Sequence, residues 1–524
     1  MSPLKTLLSI LAAFVILGLT SFLFPTEGIN IGFTTLRFPT LAEMFPTAEE
    51  QQQIEEPKED PEEAVRRMLE ETRKREFSAY ADSLAYYENF FKNGSTRFDL
   101  PNDDPTWFDR FFLNLEIASL GEGVVHIIHY GDSQLEEDRI SSTIREDLQE
   151  MFGGAGPGLV PAMSTIPAMT ITHSSNGDIT RKVAFADSTL WADHNRYGLL
   201  AQMAELNGQA NITIRKRKDR KDSFKHIEGF QTVTLLAGHE SAKFNVALNY
   251  EAQVPDDSGK VTVKKLTAEA PEITKKSKLT TYTWKLPFKA NAATLTARGR
   301  ADLYALSADG ESGVAVDNVA MRGSSGTVFH KIDKNLLRES YEAMNVQLLI
   351  LEYGGNMVPG MSKETETWTR KVISRQISIL KEVYPEADIL FIGPADMCKQ
   401  ADGKLKDYAG LERTIKVLRE IAMENDLAYW DMFRVMGGKE SMISWVNKNP
   451  PLGSADYIHF TRAGAAHMGD LFSGALRMYY DYFKFRDAHK LDKNKVQEIK
   501  QYSLDEKRET KDESKESSNA EVAK

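Results

Sequence analysis

The chain reads as an α/β domain interrupted by an all-β module, and three observations carry that expectation. Near residue 124 a compact β-prone run is followed by a glycine-containing turn and an amphipathic helix, the first unit of an α/β fold. The same strand–helix alternation returns after residue 346. Between roughly Thr165 and Val319 helical periodicity disappears and short alternating segments take its place.

In the first unit, Val124 to Tyr130 is rich in Val and Ile, Gly131-Asp132-Ser133 makes the turn, and Ile140, Ile144 and Leu148 recur every four residues along one helical face. Later, Val346 to Glu352 is a strand followed by a helix from about Lys363 to Val383. Ile389 to Ile392 is a strand, with a helix from about Leu411 to Asn425 behind it. Leu427 to Trp430 is one more short strand, and Ala463 to Phe483 a closing helix. In the middle, Thr232–Leu236, Lys243–Tyr250, Thr281–Trp284, Ala293–Ala297 and Asp302–Leu306 are punctuated by Gly, Asp, Asn and Ser at antiparallel-sandwich spacing. Aromatics at Phe77, Tyr80, Tyr86, Tyr87, Phe90 and Phe91 read as helix-packing residues ahead of the core, as do Trp107, Phe108, Phe111, Phe112 and Leu115.

Bulk properties narrow the function. With 524 residues, 41% apolar and 27% charged, a large core is assured. A formal net charge of −11 argues against nucleic acid as a partner. The single cysteine, Cys398, excludes an internal disulfide and any multi-cysteine metal site. Lys5 precedes an apolar run from Leu7 to Phe24, whose eighteen residues would span about 27 Å as a helix, close to the bilayer's hydrocarbon thickness. It reads as a membrane anchor, or as a signal segment if cleaved, and puts the body of the protein outside the cytoplasm. The division is therefore 1–25 anchor, 26–63 acidic linker, 64–164 helices and first α/β part, 165–318 β module, 319–490 second α/β part, and 491–524 charged, disordered tail.

Four sites could do chemistry. Ser133 lies at the carboxyl end of a strand and before a helix, where ligands bind a parallel sheet. Its alternative is an N-cap. Asp456 stands three residues before His459, so it can orient one imidazole nitrogen and leave the other for a serine proton. A structural Asp–His turn is the bland reading. Asn356, in Gly354-Gly355-Asn356, follows the strand ending at Glu352 and can aim an amide into the same crevice, though a plain Gly/Asn turn has the same letters. Gly326, in Arg322-Gly323-Ser324-Ser325-Gly326, is a glycine loop that lets backbone N–H groups approach a substrate. His126 and His129, three apart on a strand, face opposite sides and share no ligand set, so neither metal nor cofactor is expected.

The order Ser, Gly, Asn, Asp-x-x-His resembles the sequence blocks of the SGNH/GDSL hydrolases over about Val124–Gly158 and Val319–Phe483. That resemblance implies a flavodoxin-like three-layer domain with Ser133 as nucleophile, Asp456 and His459 completing a triad, and an oxyanion hole of Ser133, Gly326 and Asn356. Block three reads Gly-Gly-Asn-Met where Gly-x-Asn-Asp is usual, and block two has Met321 in place of its leading Asn. More narrowly, His129-Tyr130-Gly131-Asp132-Ser133-Gln134, Asp138-Arg139 and Phe152-Gly153-Gly154-Ala155-Gly156-Pro157-Gly158 look like bacterial peptidoglycan O-acetylesterases, which carry a jelly-roll-like, carbohydrate-binding-like β-sandwich between blocks one and two. The implied activity is removal of O-acetyl groups from an extracytoplasmic glycan. The alternatives are O-acetyl transfer by the same triad and a catalytically silent glycan-binding envelope protein.

Overall fold

The computed structural model describes residues 61–501, apart from 186, 218–223, 257–258 and 402–403, together with scattered positions among the first 36. The apolar run from Leu7 to Phe24 and the acidic linker lie for the most part outside the described residues. So does residue 502 onward. Within the linker, Ile29–Asn30 pairs antiparallel with Thr35–Leu36. Among the described residues no helix is long and apolar enough to cross a membrane. Residues 83–498 form one compact unit, and residues 1–82 with 499–524 another.

Helix α1 (Pro61–Asn93) is followed by strand β1 (Phe98–Asp99), α2 (Asp109–Ser119), β2 (Val124–Gly131) and α3 (Ser141–Phe152). Next come β3 (Gly158–Val160), β4 (Ile171–Val183), β5 (Gln202–Lys216), β6 (Phe230–Gly238), β7 (Asn245–Pro255), β8 (Val261–Thr267), β9 (Glu272–Lys275) and β10 (Thr280–Asp309). The chain then alternates: β11 (Gly313–Ala320), α4 (Lys334–Ala343), β12 (Val346–Glu352), α5 (Lys363–Val383), β13 (Asp388–Ile392), α6 (Leu411–Glu424) and β14 (Ala428–Trp430). Short helices α7 (Met432–Met436) and α8 (Ser441–Val446) precede the long α9 (Arg462–Ala488).

One sheet has the order β11-β2-β12-β13-β14-β1, parallel except for β1. Alternate residues along its strands feed two cores, as a sheet covered on both faces requires. Ile128, Tyr130, Leu349, Leu351 and Phe391 pack with Leu337, Tyr341, Ile377 and Leu418 of α4, α5 and α6. Val125, Ile127, Leu348, Ile350 and Leu390 pack with Phe111, Ile144, Phe472 and Tyr479 of α2, α3 and α9. Helix, sheet, helix makes three layers. Counted by position in the chain, the parallel strands stand 2-1-3-4-5, so the order reverses between β2 and β12. Gly131 at the end of β2 is in register with Ala320 of β11 and Glu352 of β12. A crevice opens there at the strands' carboxyl ends.

Strands β3 to β10 form an eight-stranded antiparallel sheet with the path β8-β7-β10-β5-β4 and with β3, β6 and β9 also paired to β10. A third core cluster, including Ile212, Ile214, Leu235, Leu248, Trp284 and Leu295, belongs to these strands. Thr281–Trp284, Ala293–Ala297 and Asp302–Leu306, three strands by sequence, are one thirty-residue strand that changes partners through register shifts. Glycine at 299 and 208 on facing strands, both at positive φ, lets it bend. β11 already belongs to the parallel sheet, so that sheet resumes ahead of residue 319. Residues 493–501, expected in the disordered tail, are helical. Asp492 caps them by accepting from the Lys495 N–H.

The two sheets meet at a buried polar joint. His126 Nδ1 of β2 lies 2.8 Å from Asp317 Oδ2 of β11, and its Nε2 is 3.7 Å from Asp309 Oδ2 of β10. Asp317 Oδ1 accepts from the Leu159 N–H of β3 at 2.7 Å. Burial alone would lower the His126 pKa, but the charges of Asp317 and Asp309 outweigh it and raise it to about 9. The glycine run seals the joint: a Cβ at Gly154 would stand 2.4 Å from the Val314 carbonyl oxygen, and one at Gly156 2.1 Å from that of Ala308. A group whose folded pKa is raised contributes stability that is complete below its unfolded value and is lost as pH climbs through the folded one. Unfolding free energy should therefore fall by on the order of 3 kcal/mol from this site between pH 7 and 10. Melting temperatures from pH 5 to 10 will check it. In His126→Gln the loss should move below pH 8, where the carboxylates ionise without their cation; a variant whose profile merely runs parallel to wild type would refute the assignment.

Candidate active site

The β2 strand stops at Gly131, and the next residues build a turn. The Asp132 carboxylate accepts from the Gln134 N–H at 3.0 Å and caps the short 3₁₀ segment Ser133–Asp138. Ser133 thus projects at the point of strand reversal. Far along the chain, Thr461 caps α9 by accepting from the Gly464 N–H, which fixes the loop carrying Asp456 and His459.

The structure brings three of the expected residues into line. Ser133 Oγ is 2.9 Å from His459 Nε2, and His459 Nδ1 is 2.7 Å from Asp456 Oδ2. The other Asp456 oxygen accepts the backbone N–H groups of Ile458 and His459, each at 3.0 Å. Burial pushes the Asp456 carboxyl up, but these bonds and the neighbouring imidazole overcome it and hold the carboxyl below its usual range. Asp456 stays ionised, so Nδ1 carries the ring proton and Nε2 is left to accept one from serine.

Ser133, His459 and Asn356 line a cavity of about 230 Å³, with Gly393, Pro394, Met397, Tyr408 and Ile458 supplying an apolar wall. Asn356 arrives as expected from the loop after β12. Its Nδ2 donates to Asp132 Oδ2 at 2.9 Å and to the Ser324 carbonyl at 3.1 Å. Asp132 is buried, and that burial, with the Glu352 charge nearby, lifts its pKa to about 6. Like Gly323 of the same loop, Gly326 does not line the cavity. Its N–H is given to Ser324 Oγ at 3.2 Å, and a Cβ there would press on the Tyr353 ring at 2.8 Å. In the same loop Gly323, also at positive φ, has open space around its Cβ position, and its N–H has no partner among the described residues.

No family model matches the chain, and no curated protein matches it in sequence. Solved structures do: a peptidoglycan O-acetylesterase overlays with a TM-score of 0.55 across 71% of this chain and 96% of its own, at 17% identity. The chain has an SGNH-like hydrolase fold. A family two carbohydrate esterase from Cellvibrio japonicus (10% identity, 60% of this chain, 99% of that one, TM-score 0.23) and a lipase/acylhydrolase from Enterococcus faecalis (18%, 32%, 77%, TM-score 0.23) superpose too loosely to add to this.

Two further residues at this site stand in the sequence only as letters of a motif, with no sign of what they hold. Gln134 donates from Nε2 to the Ile458 carbonyl at 2.8 Å and accepts from the Phe460 N–H at 3.2 Å, gripping the histidine loop on both sides of His459. Arg139 donates to the carbonyls of Ser133, Glu136 and Phe460. Their partners on the histidine loop lie some 320 positions away in sequence, so only the fold could reveal those bonds. His129 lies on the face of β2 opposite His126. It bonds Glu352 at 2.9 Å and the Ser141 hydroxyl at 3.1 Å, tying β2 to β12 and α3.

A serine-directed phosphonate should label Ser133 and no other serine, read by peptide mass mapping. Loss of a general base typically costs 10²–10⁴-fold, so His459→Ala should slow labelling by about that much. Labelling at an unchanged rate would show that the Ser133–His459 bond does not activate the hydroxyl.

Proposed function

We propose that the chain is a serine esterase that removes O-acetyl groups from an extracytoplasmic glycan such as peptidoglycan. The observation that carries the reading is the unbroken hydrogen-bonded line from Ser133 through His459 to Asp456 at the strand-reversal crevice. Ser133 Oγ attacks the acetyl carbonyl carbon while His459 Nε2 takes the hydroxyl proton. The Asp456 carboxylate stabilises the imidazolium that forms. As the tetrahedral intermediate collapses, the bond to the sugar oxygen breaks and that oxygen receives the proton from His459. Water, deprotonated by the same nitrogen, then releases acetate from the acyl-serine.

The developing oxyanion falls to the Ser133 N–H, the Asn356 amide and a backbone N–H of the 322–326 loop. Asn356 gives up its longer bond, to Ser324, to reach it. Within the loop the donor is Gly323 in place of the expected Gly326, since only the former has an uncommitted N–H.

The antiparallel strands β3–β10 we read as an inserted glycan-binding module, on the support of their separate core and their place between β2 and β11. The apolar run at Leu7–Phe24 supports a place on the periplasmic side of the inner membrane, held there by that segment unless it is cleaved.

Hydrolysis of p-nitrophenyl acetate and release of acetate from acetylated peptidoglycan fragments test the proposal. Ser133→Ala should abolish both, and Asn356→Ala should lower turnover by about 10²–10³-fold, the usual cost of one oxyanion donor. A Ser133→Ala protein that still turns over either substrate would place the nucleophile elsewhere. Acetate release that becomes appreciable only when a sugar acceptor is added would favour transfer over hydrolysis.

A further inference from the structure

A second cavity, of about 100 Å³, begins where the nucleophile's own turn ends. Glu137 and Asp138 from that turn line it, with Arg145 of α3, Arg181 of β4 and Gln202 of β5. The wall carries two carboxylates and two guanidiniums, but both carboxylates already have cation partners of their own. Asp138 is held by Arg145 through two bonds of 2.7 and 3.0 Å and accepts a third from the Thr170 hydroxyl. Glu137 is paired with Arg462 at 3.2 Å. Arg181 has no carboxylate partner among the described residues. Its Nε donates to Gln202 Oε1 at 2.8 Å, and its guanidinium carbon stands 5.9 Å from the Phe185 ring centre.

A half-buried guanidinium without a counter-ion is costly, because desolvation penalises it and one neutral hydrogen bond and a ring contact offset only part of that. Burial accordingly lowers the Arg181 pKa. The bond to Gln202 also fixes that side chain. Its oxygen faces Arg181, so its amide NH₂ is turned away, and no described residue accepts from it although Gln202 is only 8% exposed. The two terminal nitrogens of Arg181 and the Gln202 amide are donors without acceptors on the wall of one cavity. A set of donors around one unneutralised positive charge is the arrangement that recognises a carboxylate. The protein as a whole carries −11, so its long-range field repels anions and any preference for one must arise locally.

We propose that this cavity is a subsite for a carboxylate borne on the glycan, so that the substrate is an acidic saccharide and not a neutral one. The inference rests on the esterase reading for its bearing on turnover, but the binding it specifies does not. The test is calorimetric titration of the full chain with trigalacturonate, with neutral galactotriose and with inorganic phosphate. Wild type should bind trigalacturonate at least 10-fold more tightly than galactotriose. A hydrogen bond to a charged group is commonly worth about 10- to 100-fold in affinity, so Arg181→Gln should lose that much for the acid and nothing for the neutral sugar. Arg181→Lys, which keeps the charge and loses the planar fork, should fall between the two. Melting curves will confirm that both variants fold. Equal affinity of wild type for the two sugars, or undiminished acid binding in Arg181→Gln, would overturn the proposal. Phosphate binding more tightly than trigalacturonate would overturn it in favour of a free-anion site. A protein that binds the acid through Arg181 yet fails to hydrolyse esters would leave this inference standing and remove the esterase reading.

Discussion

The architecture turns on one buried histidine set between two carboxylates. Charges removed from water are costly unless paired and hydrogen-bonded. His126 and Asp317 are both, with the Leu159 N–H as a further member, while Asp309 adds its charge at 3.7 Å and accepts from the Ser307 hydroxyl. His126, Leu159, Asp309 and Asp317 lie on different strands, so the pairing holds only if β2, β3, β10 and β11 all stand in one register. A slip of one residue in any of them would turn its polar side chain to the opposite face and leave the others buried and uncompensated. That requirement joins the antiparallel sheet to the parallel one through side chains, although no strand of one pairs with a strand of the other. It also fixes how far β2 extends before its turn, and so where Ser133 emerges.

The site adds a second constraint on top of the first. Ser133 and His459 lie 326 residues apart, on loops from distant parts of the chain. Gln134 and Arg139 bind the histidine loop through its backbone, independently of the side chains it carries. The hydroxyl and imidazole meet at 2.9 Å because the main chains beneath them are already fastened. Holding reacting groups in place before the substrate arrives is a large part of what an enzyme contributes to a barrier. Asp132 shows the cost of that order: a carboxyl raised to about 6 by burial is kept beside Ser133, where it organises both the turn and the Asn356 amide.

What the sequence disclosed follows from how locally each feature is encoded. β2, its turn and α3 are visible because a Val/Ile run, a glycine and a four-residue apolar repeat lie within thirty residues of one another. Asp456 and His459 were legible as a pair because three residues of one loop are enough to join them, and Asn356 because it directly follows a strand. β10 was not legible as a single strand, since the polar residues and glycine that mark its bends look the same as those that end strands. Gly326 was read from a pattern of letters, which does not show that its N–H is already given to Ser324 Oγ. Arg181 gave no signal either, because the absence of a counter-ion is a property of the space around a residue.

The long strand β10 has a consequence for how the protein comes to exist. β2 and its neighbour β11 are separated in the chain by the whole antiparallel sheet, and β10 must find partners in β3, β5, β6, β7 and β9 before that separation closes. Pairings so distant along the chain are slow to form, because the entropy of the intervening loop is lost before the contacts return it. The crevice that holds Ser133 is therefore a late product of folding. A newly made chain passes through a period in which its sheets are under construction and Ser133 has neither His459 nor the crevice beside it.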